Sequence, residues 1–375
     1  MSGILYRSGV LLAVFLSAAF SVAADQASRS EFIFETAPHA QCHSSTLAET
    51  SSGLVAAWFG GSREGADDVG IWISRQDGGR WTPPTEVANG IQFTRADGTV
   101  VRHPCWNPVL FQPRTGALML FYKVGPPAAW WGMLATSEDH GRTWSVPRPL
   151  PEGILGPIKN KPVELADGTI LCASSTETTT APSRWQVHFE ATRDGGRSWW
   201  ATAPINDGVT LSAIQPSVLV YADGRLDAIG RTKQGRIFST RSADAGRTWT
   251  SLELTGLPNP NSGTDAVTLA DGRQLLVYNH VGLAANGRKG PRSPLNVAVS
   301  RDGREWEAVC VLENEPGEYS YPAVIQTRDG LIHITYTWKR ERIKHVTLDL
   351  GRFQPRPIVE GVWPAAPVAM SAPKT

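Results

Sequence analysis

The chain has almost no excess charge of either sign: 36 lysines and arginines stand against 35 acidic residues, for a formal net charge of +1. Proteins that bind nucleic acid or an anionic membrane surface usually carry a surplus of basic residues. The composition therefore indicates neither class of partner. Charged residues make up only 19%, whereas Gly, Pro and Trp are plentiful at 36, 27 and 14. This balance is typical of many short strands joined by tight turns.

Cysteine is also scarce. Cys42, Cys105, Cys172 and Cys310 show no C-x-x-C spacing, so the sequence indicates no zinc site, and we expect neither a metal nor a cofactor. Cys42 and Cys105 precede comparable strands of successive repeats. They are either neighbours that an oxidising compartment would allow to pair or separate buried thiols.

Only one apolar run is long. It extends from Val10 to Val22, follows Arg7 and ends at the small residues Ala23-Ala24. The run is too short to span a bilayer, and its parts are those of a secretory signal peptide. We therefore expect residues 1–24 to be a signal peptide and the mature protein to be periplasmic or extracellular, with no membrane insertion. The last segment, residues 364–375, is predicted to be a disordered tail.

An eight-residue pattern, Ser/Thr-x-Asp-x-Gly-x-x-Trp, recurs along most of the chain. The Asp carboxylate can bond backbone N–H groups of its own turn, and the Gly allows a positive φ. The Trp is expected to pack between neighbouring sheets. The pattern thus predicts a structural turn that closes a β-hairpin and carries no chemistry. Its copies are Ser137–Trp144, Thr192–Trp199 and Ser242–Trp249, with looser versions at Ser74–Trp81 and Ser300–Trp306.

A second repeat consists of two apolar segments joined by a turn with Gly, which is typical of a hairpin. Five of its six instances are followed by the Asp-containing pattern, and the sixth is followed by a predicted strand, Lys344–Leu350. The six instances are Ser45–Phe59, Pro108–Tyr122, Pro162–Ser174, Pro216–Ile229, Ala266–Tyr278 and Pro322–Trp338.

A hairpin followed by a second hairpin makes a four-stranded sheet, and six such sheets protect their edges when they are arranged radially. We therefore predict an all-β, six-bladed β-propeller that occupies residues 25–363 as a single domain and is monomeric. A strand at Glu31–Glu35 is expected to complete the last blade and close the ring.

The loops that lead into the inner strands are rich in polar residues, and in a propeller these loops converge at one rim around the axis. Polar groups that recur at the same point of successive blades favour a common site over scattered surface residues. These loops contain His43, Arg63, Asp67, Asp68, His103, Trp106, Asn107, Lys159, Lys161, Gln215, Arg292, Tyr319 and Tyr321.

These residues resemble the sialidase superfamily, and more closely a bacterial group of sialidase-like proteins with Asp-box (BNR) repeats. Members of that superfamily hold the substrate carboxylate with three arginines and use an aspartate as acid/base and a tyrosine as nucleophile. The resemblance implies that Arg63, Arg231 and Arg292 bind a carboxylate. It also implies that Asp68, or Asp67 beside it, is the acid/base, and that Tyr321 or alternatively Tyr319 is the nucleophile.

Two positions depart from the family pattern. His43 stands where the family has its first clamp arginine, and an imidazole holds a carboxylate less firmly than a bidentate guanidinium does. Gln215 stands where the family has the glutamate that polarises the tyrosine, and a glutamine cannot take a proton. The candidates for another base are Glu177, Glu190 and Glu318. The other candidate substrate-binding residues are His103, Trp106, Asn107, Lys159 and Lys161.

The resemblance implies an exported glycoside hydrolase of exo-α-sialidase type that removes sialic acid or a related carboxylated sugar from the end of a glycan. Two alternatives keep the same fold. One is a lyase that acts on uronic-acid glycans, for which His43, His103 and the tyrosines would supply the base. The other is a propeller that binds acidic glycans without turnover, which Gln215 favours.

Overall fold

The computed structural model describes residues 28–365, and almost all of their regular structure is β-strand. Most of the strands form six sheets of four or five strands each. This arrangement confirms the predicted six-bladed β-propeller. The predicted signal peptide and nearly all of the predicted tail lie outside the described residues. Within residues 28–365, no helix is long and apolar enough to cross a bilayer.

The strands are numbered in chain order, beginning with β1 (Ser28–Phe32). Blade 1 contains β2 (Gln41–Thr50), β3 (Gly53–Gly61), β4 (Gly70–Asp77), β5 (Arg80–Trp81) and β6 (Thr85–Ala88). A separate hairpin follows, formed by β7 (Ile91–Thr94) and β8 (Val100–Arg102). Blade 2 contains β9 (Cys105–Phe111), β10 (Leu118–Val124), β11 (Trp131–Ser137) and β12 (Arg148–Pro149). Blade 3 contains β13 (Val163–Glu164), β14 (Ile170–Glu177), β15 (Trp185–Thr192) and β16 (Trp200–Ala201).

The remaining strands complete the ring. Blade 4 contains β17 (Ala213–Val220), β18 (Leu226–Thr232), β19 (Arg236–Ser242) and β20 (Glu253–Pro258). Blade 5 contains β21 (Asp265–Thr268), β22 (Gln274–Tyr278), β23 (Leu295–Ser300), β24 (Glu307–Glu313) and β28 (Arg356–Pro357). Blade 6 contains β25 (Tyr319–Gln326), β26 (Ile332–Trp338) and β27 (Arg342–Leu348), and β1 completes it. Two 3₁₀ turns occur, at Pro127–Ala129 and Leu350–Arg352.

Each of the six predicted hairpins is present as the first two strands of a blade. In four blades the pairing of these strands shifts register near the start of the inner strand, between His43 and Thr46 in blade 1 and between Ser320 and Ala323 in blade 6. The other two shifts lie in blade 2, around Asn107, and in blade 4, around Gln215. The inner-strand residues Ser44, Asn107, Gln215 and Tyr321 all have positive φ, from 37° to 57°. Such bulges redirect single side chains and are common beside functional sites.

The Asp-box turns are built as the sequence predicts. Asp139 accepts backbone hydrogen bonds from Arg142 and Thr143 and a 2.6 Å bond from the Thr143 hydroxyl. The hydrogen bonds from Thr143 hold the pKa of Asp139 well below its ordinary value. In blade 4 the corresponding Trp249 stacks on Phe189 of blade 3, with 3.8 Å between ring centroids. The turn therefore fastens one blade to the blade before it.

The ring is closed by β1, which pairs antiparallel with β27. The strand begins earlier than the predicted Glu31–Glu35, because its register runs from Ser28 opposite Leu348 to Phe32 opposite Lys344. The Glu31 carboxylate accepts a hydrogen bond from Trp81 Nε1 of blade 1 at 3.2 Å and is bonded to His345 Nδ1 of blade 6 at 3.1 Å. This carboxylate therefore joins the last blade to the first.

All four cysteines are free thiols; three are buried and Cys310 is half-buried. Cys42 and Cys105 do not form the disulfide that their positions in successive repeats left open. Cys42 lies at the start of β2 and Cys105 at the start of β9. Burial raises the pKa of Cys105 to about 12, so the thiol is neutral and behaves as a small apolar side chain.

Candidate functional site

Tyr321 lies in the bulge of the inner strand β25, and its side chain meets cationic groups from two other blades. Its hydroxyl oxygen accepts a 3.0 Å hydrogen bond from Nη2 of Arg231, which lies on β18 of blade 4. The guanidinium of Arg292, from the loop before β23 of blade 5, lies 5.6 Å from the centre of the Tyr321 ring. All three side chains are buried, with relative exposures of 5 to 8%. Three blades thus place two guanidinium groups around one phenol.

Each arginine has additional anchors. Arg231 Nη1 donates to the carbonyl of Asn261 at 3.2 Å, and the guanidinium lies 5.3 Å from the ring centre of Trp185. Arg292 Nη1 donates to Glu318 Oε1 at 2.5 Å and to Ser320 Oγ at 3.1 Å. These contacts fix the positions of the charges before any ligand is bound, which lowers the cost of binding an anion.

His43 lies against the same tyrosine, with 4.2 Å between the ring centroids. Its Nδ1 is hydrogen-bonded to Thr337 Oγ1 at 2.9 Å. Burial, with Arg340 and Arg292 nearby, holds the pKa of His43 well below its ordinary value. The imidazole is therefore neutral at neutral pH and adds no positive charge to the site.

Lys159 also lies near the phenol, with its Nζ 5.6 Å from the centre of the Tyr321 ring. The amine is buried and donates to the carbonyls of Pro322 at 2.6 Å and Thr264 at 2.9 Å and to Asn160 Oδ1 at 2.8 Å. Burial lowers the pKa of Lys159 to about 7, against the opposing effect of Asp265. With three acceptors already bound, Lys159 serves mainly to hold blades 5 and 6 together beneath the site.

Gln215 lies in the equivalent bulge of blade 4, and its backbone is held by Ser175 Oγ and Asn160 Nδ2 at 3.2 and 3.0 Å. Its side-chain Oε1 and Arg231 Nε are buried and have no hydrogen-bond partner within residues 28–365. Buried polar groups normally have a partner. Solvent or a ligand is therefore needed to satisfy these two atoms.

The loop between β3 and β4 carries Arg63, Asp67 and Asp68, and all three are exposed. The Asp68 carboxylate accepts 2.9 Å hydrogen bonds from both the backbone N–H and the hydroxyl of Ser62. Asp68 therefore shapes the loop, whereas the Asp67 carboxylate has no hydrogen bond or ion pair in the described part of the chain. Arg63 lines one small cleft together with His43, Glu64 and Arg340.

Tyr319 and Tyr321 would point to the same face of a regular strand, but the register shift between Ser320 and Ala323 and the φ of 52° at Tyr321 give them different surroundings. Tyr319 is buried in the apolar core that includes Leu295, Val324 and Tyr336. Tyr321 contacts the arginines. The structure therefore brings only one of the two candidate nucleophiles to the cationic cluster.

Four other predicted site residues lie away from Tyr321. Trp106 packs between Phe59 and Trp130, and its Nε1 donates to the carbonyl of Gly125 at 2.7 Å. His103 packs edge-on against Trp131, and Asn107 is buried in the bulge of blade 2. Lys161 Nζ forms a 2.9 Å ion pair with Asp265 and lines a cavity formed largely by hairpin turns such as Pro113 and Arg328.

Arg340 lies near the cluster and was not among the residues predicted from the sequence. Arg340 Nε donates to Glu318 Oε1 at 3.0 Å, and its Nη1 donates to Glu64 Oε2 at 2.5 Å. Burial acts to raise the pKa of Glu318, but Arg292 and the hydrogen bond from Arg340 outweigh it and hold this pKa below its ordinary value. The sequence gives little indication of Arg340, because this residue lies between the second and third strands of its blade and not before an inner strand.

The three carboxyl groups considered as alternative bases differ in their surroundings. Glu318 is paired with two arginines. Glu190 accepts hydrogen bonds from the backbone N–H groups of Leu155 and Gly156 and is bonded to His188, so it is a structural group. Glu177, at the end of β14, has no hydrogen bond in the described chain. Burial raises its pKa, against the lowering effects of Arg231 and Lys233.

The site is therefore cationic. Within residues 28–365, no group of three His, Cys, Asp or Glu side chains is arranged to hold a metal ion. The cluster offers buried guanidinium groups, a phenol and a neutral imidazole, and Glu177 lies close enough to Arg231 for that guanidinium to oppose the rise in its pKa. Such a set suits the recognition of a carboxylate or another small anion.

The BNR repeat-like domain family matches residues 52–334 of the chain. A structurally similar protein of unknown function from Dyadobacter fermentans is 18% identical, with a TM-score of 0.69 over 86% of this chain and 99% of its own. The Hadza microbial sialidase Hz136 is 19% identical, with a TM-score of 0.66 over 84% of this chain and 67% of its own. The NanB sialidase from Streptococcus pneumoniae is 13% identical, with a TM-score of 0.66 over 86% and 71%. At these identities the likeness shows the fold. No curated protein sequence matches the chain.

Proposed function

Since the chain belongs to the BNR repeat-like domain family and has a sialidase-like propeller fold, we propose that it is an exported exo-acting glycoside hydrolase. Its substrate would be a glycan that ends in a carboxylated sugar, either sialic acid or a related acid. The observation that carries this proposal is the hydrogen bond from buried Arg231 to the Tyr321 hydroxyl, with Arg292 on the same ring. Guanidinium groups bind carboxylates bidentately, and the phenol is placed beside them.

In the proposed reaction the sugar carboxylate is held by Arg231 and Arg292, and the Tyr321 oxygen attacks the anomeric carbon. A neutral nucleophile approaches a centre next to a carboxylate without like-charge repulsion, and tyrosine is a known exception to the two-carboxylate mechanism of glycosidases. The bond to the aglycone breaks, and the aglycone oxygen takes a proton from the acid. Water then attacks the anomeric carbon and releases the tyrosine and the sugar.

We assign the acid to the Asp67–Asp68 pair. Asp67 is the better candidate of the two, because its carboxylate is free whereas both oxygens of Asp68 are bound by Ser62. We assign the base that takes the phenol proton to Glu177, since Gln215 cannot accept one. Its burial and raised pKa make it a stronger base than an exposed carboxylate.

A lyase that acts on uronic-acid glycans is the second candidate. The neutral imidazole of His43, at 4.2 Å from the Tyr321 ring, favours it, because a neutral imidazole can take a proton next to a carboxylate that the arginines neutralise. The two reactions give different products. A hydrolase releases a saturated acidic sugar, whereas a lyase leaves an unsaturated sugar that absorbs in the ultraviolet.

The test is a mass-spectrometric screen of the purified protein against sialosides, related nonulosonic-acid glycans and uronic-acid-capped oligosaccharides. Release of a free acidic sugar is the expected result, and Arg292→Ala should reduce that release at least 100-fold while the circular dichroism spectrum is unchanged. An unsaturated product would support the lyase. Binding without any product would refute both the hydrolase and the lyase and would indicate a glycan-binding propeller. Full activity of the Arg292→Ala variant would show that Arg292 is not needed to bind the carboxylate.

A further inference from the structure

The turn that contains Arg340 has an unusual backbone for its sequence. It joins β26 to β27, where Trp338 pairs with Arg342, and its two central residues, Lys339 and Arg340, have φ of 53° and 61°. Three residues separate this pair, and the N–H of Glu341 donates to the carbonyl of Trp338 at 3.0 Å. A β-turn with both central φ values positive strongly prefers Asn-Gly, because a left-handed conformation is unfavourable for a residue with a side chain. Strain of this kind is concentrated at functional sites. Here it coincides with an arginine that lies at the pocket.

Two backbone hydrogen bonds hold this turn over the junction between blades 6 and 1. The carbonyl of Arg340 accepts from the N–H of Cys42 at 2.8 Å, and the N–H of Lys339 donates to the carbonyl of Glu318 at 2.7 Å. The first bond places Arg340 next to His43. The second places it next to Glu318, which is paired with Arg292. The turn is therefore fixed on both sides of the candidate site.

The side chain of Arg340 takes part in a chain of alternating charges. Glu318 Oε1 receives Arg292 Nη1 at 2.5 Å and Arg340 Nε at 3.0 Å, so Glu318 spaces the two guanidinium groups. Glu64 Oε2 is 2.5 Å from Arg340 Nη1. Glu318 is held by two arginines, whereas Glu64 is held by Arg340 alone among residues 28–365. Glu64 is thus the more easily displaced of the two carboxylates.

Glu64 is exposed and belongs to the loop that Asp68 shapes. The Asp68–Ser62 bonds close this loop, and the N–H of Ala66 donates to the carbonyl of Arg63 at 3.1 Å. An ion pair of this exposure is weak, because water screens its charges. A carboxylate that arrives from solvent can therefore replace the Glu64 carboxylate on Arg340 at little cost.

We propose that Arg340 is the third guanidinium of the carboxylate site, and that Glu64 is a displaceable counter-ion which occupies Arg340 until a carboxylated ligand replaces it. This inference rests on the proposed function in one respect, namely that the ligand carries a carboxylate. Arg340 supplies the charge that the neutral His43 does not supply. The exchange is of one carboxylate for another, so Arg340 remains paired throughout.

The test is isothermal titration calorimetry with N-acetylneuraminate and D-glucuronate as probes and with D-glucose as the uncharged comparison. Glu64→Gln should bind the better acidic probe about three- to tenfold more tightly than the wild type, and Arg340→Ala should bind it at least tenfold more weakly. The matched control is Glu35→Gln, which removes the carboxylate of another surface pair, with Arg342, and should bind like the wild type. D-Glucose should distinguish none of the four proteins, and thermal unfolding should show each of them folded.

Unchanged or weaker binding by Glu64→Gln would overturn the role of Glu64, and wild-type binding by Arg340→Ala would overturn the role of Arg340. Absence of binding by both acids in every variant would overturn the carboxylate site as a whole. The hydrolase proposal fails separately. The four proteins could show the expected order of affinities while the wild type releases no sugar from the glycan panel. That result would support the roles of Arg340 and Glu64 and would refute the proposed hydrolase reaction.

Discussion

At the scale of the residue, the proton balance of the proposed reaction depends on Glu177. Its carboxyl group is half-buried, and burial raises its pKa against the pull of Arg231 and Lys233. The group must be ionised to accept the phenol proton. Activity should therefore be lost as pH falls through this raised pKa, at a higher pH than an ordinary glutamate would give.

Replacing Glu177 by Gln should lower kcat/KM by about 10²- to 10⁴-fold, the usual contribution of a general base, and should remove the acid limb of the pH profile. The pH dependence of kcat/KM on a released-sugar assay measures both effects. Glu253→Gln, on the exposed strand β20, is the control and should keep the wild-type profile. An acid limb that persists unchanged in Glu177→Gln would assign the base to another group.

The sequence predicted Tyr321 from its place at the start of an inner strand, because the blade repeat brings such residues to one rim. It also placed Arg292 in a loop before an inner strand, whereas Arg292 precedes β23, the third strand of blade 5. It did not predict Arg340, whose position depends on a strained hairpin turn and on the contact between the first and last blades. The environment of Asp68 was also beyond prediction, since the two hydrogen bonds from Ser62 depend on the loop conformation.

At the scale of the element, the Asp-box turn contributes stability through its glycine. Gly246 has a φ of 83°, and a Cβ added there would lie 2.6 Å from Leu171 Cδ2 on blade 3. Gly141 similarly approaches Val55 of blade 1. These glycines allow each turn to lie against the preceding blade, so the motif acts between blades as well as within one.

Gly246→Ala should therefore destabilise the protein by about 2 kcal/mol or more, through backbone strain and overpacking against Leu171. Gly224→Ala separates the two effects, because Gly224 has nearly the same φ, 85°, but no atom within 4 Å of an added Cβ. Gly224→Ala should therefore lower the free energy of unfolding only by the cost of the backbone strain. Urea unfolding measures the difference, and equal losses in the two variants would mean that the contact with blade 3 contributes nothing.

The hairpins were predictable because Asp-Gly and related turns between apolar segments are strong local signals. The β7–β8 hairpin was not predicted. Ile91–Thr94 does alternate apolar and polar residues, but it is exposed and lies outside the blade repeat from which the other strands were predicted.

At the scale of the whole molecule, the junction of the first and last blades is sensitive to acid. His333 Nδ1 is bonded to His345 Nε2 at 2.9 Å, and His345 Nδ1 is bonded to Glu31 at 3.1 Å. Burial, and then the neighbouring His345, lower the pKa of His333 to about 4. The unfolded chain takes up this proton near pH 6.5, whereas the folded protein resists it until about pH 4. The contribution of His333 to stability therefore falls as pH drops from 6.5 to 4.

By linkage, this shift costs about 2 kcal/mol of unfolding free energy between pH 7 and pH 5. In His333→Gln the loss between these pH values should be smaller by that amount. Urea unfolding at the two pH values provides the measurement. His140→Asn, which changes a histidine outside the junction, should retain the full wild-type loss, and an equal loss in His333→Gln would show that other groups cause the acid sensitivity.

The pairing of Ser28 with Leu348 also sets the order of events during synthesis. The ribosome makes β1 before any blade, yet β27, the partner of β1, leaves the ribosome only after β2 to β26 have been made. A nascent chain that stops before β27 has an unsatisfied strand at each end, and unpaired strand edges promote aggregation and attract chaperones and proteases. Closure of the ring thus distinguishes a finished chain from an unfinished one.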